Sequence, residues 1–293
     1  MITRVTSSTM MNASLRNLQT ASSELARLQN QASSRKAIGV PSDDPAGTAD
    51  ALRVRSAIKS NDQYARNVND GNGWLTAADS ALTGVSELLR KARDLTVQGA
   101  NDGALSIEAK EGIAAELVTI RDALRAQANT NYLGRNVFAG TSDAEAAFAA
   151  DYSYSGGLGS VDRRIGDGTT VRVDVDGAAA FGTGTQSMFA ELDAIVADLR
   201  SGVNVSSHLA VLDTRRDSVL SALATVGARQ SMVFDAQETN LSRSVELEAQ
   251  RSGIEDVVLE KIVLELSLQE VTYKAALSVT ARTLQQTLMD FIR

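Results

Sequence analysis

Apolar residues recur every three, four or seven positions along most of this chain. Near the start, Met11, Leu15, Leu18, Leu25 and Ala32 follow that spacing, and Val5 and Leu28 widen the stripe. A stripe of this kind keeps one face of a helix turned toward a partner helix. The far end repeats it with Ile262, Leu266, Tyr273, Leu277, Leu284, Leu288 and Phe291. Between the seams the terminal stretches carry few charges and many Ser, Thr, Asn, Gln and Ala residues. Ser and Thr are mediocre helix formers, and ordinary exposed helices carry charge pairs for solubility. The pattern predicts ends that become helical only when other helices pack on them.

The interior reads differently. Residues 37–45 form a turn, because Pro41 and Pro45 force extended geometry on the residues before them. Asp44 is placed to cap the next helix, with Pro45 at its first position. That helix is expected from Ala46 toward Gly99, with Glu87 and Lys91 as a pair one turn apart. Gly71-Asn72-Gly73 weakens it without breaking it, since the apolar phase resumes beyond. A second helix is expected from about Leu105 to Asn129. Tyr152–Tyr154, Val161–Ile165 and Val171–Val175 alternate as short strands do, between glycine-rich turns. Helical patterning returns at about Gln186, runs from Ser207 to Gln250, and is interrupted at Ser252-Gly253.

The expected organisation is nested. A tail helix (1–40) is followed by half of a helical rod (41–140), a small β-rich insertion (141–185), the second half of the rod (186–252) and a second tail helix (253–293). The fold class is mainly α: a long α-helical coiled-coil hairpin with N- and C-terminal helices paired and a small β-region at the outer tip. The thirteen seam residues Val5, Met11, Leu15, Leu18, Leu25, Leu28, Ile262, Leu266, Tyr273, Leu277, Leu284, Leu288 and Phe291 form the candidate assembly interface.

Composition narrows the function. Of 293 residues only 4% are aromatic and two are proline, which favours long helices. A net charge of −7 without a basic run argues against nucleic acid as a partner. The absence of cysteine removes disulfides and cysteine-held metals. Residues 1–35 lack the continuous apolar core of a secretory signal, and no apolar run is long enough for membrane insertion. Export would use a route without a cleaved signal.

No catalytic constellation stands out. His208 is the sole histidine, with no second His or any Cys to share a metal, and reads as a surface or capping residue. Asp43 and Asp44 read as turn and cap residues. The glycine pairs lack the spacing of phosphate loops, and Asp174 and Asp176 lack that of a calcium loop. The expectation is a non-enzymatic chain that needs no cofactor.

Several segments resemble one family. Ser34-Arg35-Lys36-Ala37-Ile38-Gly39-Val40-Pro41-Ser42-Asp43-Asp44-Pro45-Ala46 is similar to the turn after the first helix of bacterial flagellins and their junction relatives. Residues 88–98 (Leu88 to Gln98) and 129–141 (Asn129 to Thr141) resemble further stretches of that family. Phe138-Ala139-Gly140-Thr141, Ser252 to Val257, Leu268 to Leu277 and the closing Leu284 to Arg293 are similar to its hook-associated branch. Val258-Leu259-Glu260-Lys261 departs from the alanine-acidic stretch expected there.

The resemblance implies a structural subunit between the hook and the flagellin filament. It implies unfolded export through the flagellar type III apparatus, with the N-terminal tail as signal. It further implies a ring of copies of itself, an adjoining hook-associated protein on one side, flagellin on the other, and a cytoplasmic export chaperone on the C-terminal helix. A minor flagellin of the filament itself is the alternative.

Overall fold

The structure, a computed structural model, describes residues 7–101, 105–157 and 159–291, with side chains described from residue 9 to residue 282 within those ranges. The α-helices are α1 (Ser7–Ser34), α2 (Pro45–Gly99), α3 (Ile107–Ala128), α4 (Gly177–Phe181), α5 (Met188–Ser201), α6 (Leu209–Glu255) and α7 (Leu259–Phe291). Two antiparallel hairpins join β1 (Asn131–Tyr132) to β2 (Arg135–Asn136) and β3 (Asp162–Gly166) to β4 (Thr169–Arg172). The fold is mainly α. The chain divides into one compact unit of residues 1–60 and 244–293 and another of residues 61–243.

The first unit is built on the pairing of α1 with α7. The helices run antiparallel: the Gln269 side-chain amide donates to the Ala21 carbonyl at 3.1 Å. Beyond the C-terminal end of α1, Ala37 N donates to Glu255 O at 2.7 Å and Val257 N to Arg35 O at 3.2 Å. Those bonds explain one departure from expectation. α6 passes through Ser252-Gly253 and ends at Glu255; the interruption falls at 256–258, where the backbone pairs with residues 35–37 instead of continuing the helix.

In the second unit, α2 and α6 carry strict seven-residue series. Asn61, Val68, Leu75, Leu82, Leu89 and Thr96 are all buried on α2. Leu212, Val219, Val226, Val233 and Asn240 are buried on α6. The apolar members share one core. Phe138, Phe148, Phe181 and Phe189 fill the middle of this unit, in ring contacts with centroids 5.0–6.3 Å apart. Residues from α3 and α5 pack beside them.

As expected, α2 is continuous through Gly71-Asn72-Gly73. The glycines serve close approach. A Cβ on Gly71 would lie 3.2 Å from Val173, and one on Gly73 only 2.1 Å from the Tyr132 hydroxyl. The two β-hairpins therefore seat on α2 at these positions.

Three local expectations change. Lys91 pairs with Glu116 of α3 at 2.5 Å, not with Glu87, because tertiary packing supplies a carboxylate across the helix interface. Tyr152–Tyr154 forms no strand; Tyr152 takes a left-handed φ of 64°, and Tyr154 makes a single bridge to Phe148. Residues 177–181 form the short helix α4, because the Asp176 carboxylate accepts from Ala178 N and Ala179 N and so caps its first turn. The β1–β2 hairpin was also absent from the sequence reading.

Candidate assembly interface

The contact between α1 and α7 follows a heptad rule on both sides. On α1, Ser14, Leu18, Ala21, Leu25, Leu28 and Ala32 are buried or half-buried, at alternating spacings of four and three. On α7, Ile262, Leu266, Gln269, Tyr273, Ala276 and Thr280 do the same. This is the geometry in which one residue in every 3.5 faces the partner helix.

The seam residues expected from the sequence divide into three groups. Leu28 and Ile262 are buried, and Leu18, Leu25, Leu266 and Tyr273 are half-buried in the helix pair. Met11, Leu15 and Leu277 are exposed. The smaller Ser14 and Ala276 take the inward positions beside Leu15 and Leu277. Val5, Leu284, Leu288 and Phe291 lie outside the residues whose side chains are described.

Sequence reasoning missed a second stripe on α7. Leu264, Leu268, Val271 and Ala275 repeat the four–three–four spacing, displaced by two residues from the inner series. Two residues turn a helix by about 200°, so the second stripe lies on the opposite side from the α1 contact. Leu264, Leu268 and Val271 are 61–66% exposed. The signal was available as a second heptad phase, concealed by the first.

At the corner of this unit an ion cluster fixes the chain. The Glu255 side chain is only 4% exposed and faces Arg55 at 2.6 Å, Lys36 at 3.3 Å and Arg251 at 3.4 Å. Lys36 also reaches Asp256 at 2.7 Å. The hydrogen bond from Arg55 holds the Glu255 carboxyl below its ordinary pKa, against the opposing effect of burial and with help from Lys36. Nearby, the Asp43 carboxylate accepts from Gly39 N and Val40 N, and that of Asp44 from Gly47 N. Both aspartates are therefore occupied in closing the turn and capping α2.

His208 sits between two carboxylates. Its Nδ1 is 2.7 Å from Glu191 and its Nε2 2.9 Å from Asp198, both on α5. Burial works against the charged ring, but the bonds to Asp198 and Glu191 outweigh it and raise the pKa. The histidine is thus an ion-paired clamp inside the second unit. Among the described residues no group of three or more His, Cys, Asp or Glu could hold a metal, and no helix is long and apolar enough to cross a membrane.

The geometry has counterparts in known proteins. The profile of the bacterial flagellin N-terminal helical region matches residues 5–143. The flagellar hook-associated protein 3 of Salmonella typhimurium is 26% identical over 300 residues, covering 93% of this chain and 94% of that protein. A flagellin of Bacillus subtilis is 26% identical over 268 residues, covering 83% and 84%. Among solved structures, FlgL from Bacillus cereus superposes with a TM-score of 0.60 at 21% identity, over 68% of this chain and 99% of that one. Flagellar hook associated protein-3 from Legionella pneumophila gives 0.62 at 14% identity, over 69% and 98%. At these identities the structures establish a common fold.

Proposed function

We propose, for a chain that is a flagellin-like protein of the hook-associated protein 3 kind, the role of a junction subunit that polymerises through both faces of its terminal helices. Its curated relatives are structural proteins of the flagellum, an extracellular appendage, and the chain is structural, not enzymatic. The finer reading is a ring of copies between an adjoining hook-associated protein and flagellin.

The observation that carries this reading is the second stripe of α7. One side of the helix packs on α1, while Leu264, Leu268 and Val271 remain exposed on the other. Burying each such side chain is worth about 1.5–3 kcal/mol. Ordering the backbone costs about 1–2 kcal/mol per residue, so the tails gain from order only when neighbours cover both faces at once. The same balance allows an unfolded chain to be exported and to fold on arrival. It also leaves the C-terminal helix open to a cytoplasmic chaperone beforehand.

The test pairs a variant with a location. Leu268→Asp is expected to leave the unfolding transition of residues 61–243 unchanged and to abolish incorporation and motility; normal motility would remove the reading. Immunogold labelling of intact flagella, with antibody to residues 140–184, is expected to give a narrow band at the hook end. The match to Bacillus subtilis flagellin supports a second reading, a minor flagellin, for which gold would decorate the whole filament.

A further inference from the structure

The tip of the β1–β2 hairpin carries an unusual residue. A two-residue hairpin turn places its central positions at positive φ, where Asn, Asp and Gly are favoured. Here the first position is Leu133, at φ 49°, followed by Gly134 at φ 81°. A leucine adopts that region only under strain, since its Cβ crowds the following carbonyl oxygen. Leu133 is also 78% exposed, so no intramolecular packing offsets the strain.

The hairpin beneath it is anchored. The Tyr132 ring enters the notch at Gly73 and meets Trp74 edge-on at 6.0 Å. The Arg135 guanidinium lies over the same Trp74 ring, also at 6.0 Å, and reaches the exposed Asp143 carboxylate at 3.7 Å, a solvent-facing pair that another carboxylate can replace. Leu133 is therefore an apolar knob held out on a fixed base. Strain and exposure at one residue point to a compensating contact outside the chain.

A matching recess exists in the same unit. An open groove of about 560 Å³ runs between α4 and α6. Val175, Ala179, Ala180 and Ala222 give it an apolar floor among Ser and Thr hydroxyls; of its two carboxylates, Asp176 is occupied in capping α4 and Asp217 lies on α6. Its two arginines are already engaged: Arg172 by the Asp174 carboxylate at 2.7 Å, and Arg229 by the Asp174 carbonyl at 2.7 Å. No residue of the 131–136 hairpin lines the groove.

We infer that Leu133 inserts into the α4–α6 groove of a second copy of this chain, with Arg135 approaching Asp217. Small alanines leave room for a branched side chain, and the cation beside the knob complements the acid in the groove. Knob and groove occupy different places on one compact unit, so the contact is head-to-tail, the type that closes rings or extends filaments. The inference rests on the assembly role proposed above and adds a contact that the terminal helices do not make.

Two measurements test it. Leu133→Asn relieves the strain and removes the knob. It is expected to raise the melting temperature by about 2–4 °C while weakening the copy-to-copy contact by about tenfold, read as reduced incorporation into flagella at equal export. A raised melting temperature with unchanged incorporation would show the turn to be merely strained and overturn the inference. In the second measurement p-benzoylphenylalanine replaces Leu133, and intact flagella are irradiated. The expected product has twice the chain mass, with the linked peptide drawn from residues 172–180 or 214–229. Capture of a different flagellar protein, or no product from flagella that contain the protein, overturns it. Absence of the wild-type protein from flagella would instead remove the assembly reading itself.

Discussion

The side-chain amide of Asn61 donates to the backbone carbonyl of Asn240 at 2.9 Å. Each asparagine occupies a buried heptad position where its helix otherwise supplies Val, Leu or Thr. Asn240 in turn donates from its own amide to the Ile165 carbonyl at 3.0 Å, tying strand β3 to α6. The first of these bonds pairs α2 with α6 in one register, because a slip between the two helices would bury the Asn61 amide without its partner. Asn240→Ala is therefore expected to destabilise the second unit by about 1–3 kcal/mol, the cost of leaving the Ile165 carbonyl unsatisfied. Urea unfolding of the full-length protein would read this as a lower midpoint.

The His208 clamp sets a pH dependence with a definite sign. The folded state holds the imidazolium between Glu191 and Asp198, so its pKa is raised above the ordinary 6.5. The group's contribution to stability is fully present below that ordinary value and is lost as pH rises through the raised one. Wild type should exceed His208→Gln in urea midpoint at pH 5.5, and the difference should shrink above neutrality. A difference that stays constant with pH would show that the ring contributes by packing alone.

Glu255 predicts the opposite sign in the first unit. Its carboxyl pKa is lowered from 4.5, chiefly by Arg55. The stability it supplies is present above pH 4.5 and is lost as pH falls through the lowered value. Glu255→Gln should reduce the acid sensitivity of the first unit while making it less stable near neutrality. Circular dichroism during acid titration of both proteins would show the two curves converging at low pH.

Gly73 and Gly112 should respond in opposite directions to the same change. Alanine in a helix interior normally stabilises by about 0.5–1 kcal/mol over glycine. Around a Cβ on Gly112 there is nothing within 4 Å, so Gly112→Ala should raise the melting temperature. A Cβ on Gly73 would meet the Tyr132 hydroxyl at 2.1 Å and the ring carbon bearing it at 2.7 Å. The ring would have to leave its notch and its edge contact with Trp74. Gly73→Ala should therefore lower the melting temperature and shift the fluorescence of Trp74, the sole tryptophan in the chain.

The sequence by itself determined the features governed by local rules. Heptad spacing announced the long helices and the paired ends. Asp44 and Pro45 marked the start of α2, since a cap needs only its own next turn. The lack of converging catalytic groups and the low charge of the ends pointed to assembly before any contact was known. Tertiary structure decided what depends on partners distant in sequence. Periodicity shows that a stripe exists, not which neighbour covers it, so the inward places of Ser14 and Ala276 and the exposure of Leu264, Leu268 and Val271 emerged only from packing. Ser252-Gly253 looked like the helix break, yet residues 35–37 offered backbone bonds to 256–258 and moved it there. Lys91 found Glu116 across an interface rather than Glu87 along its own helix. In each case a contact across the fold outweighed a local preference, because packing and backbone pairing contribute more free energy than intrinsic propensity does.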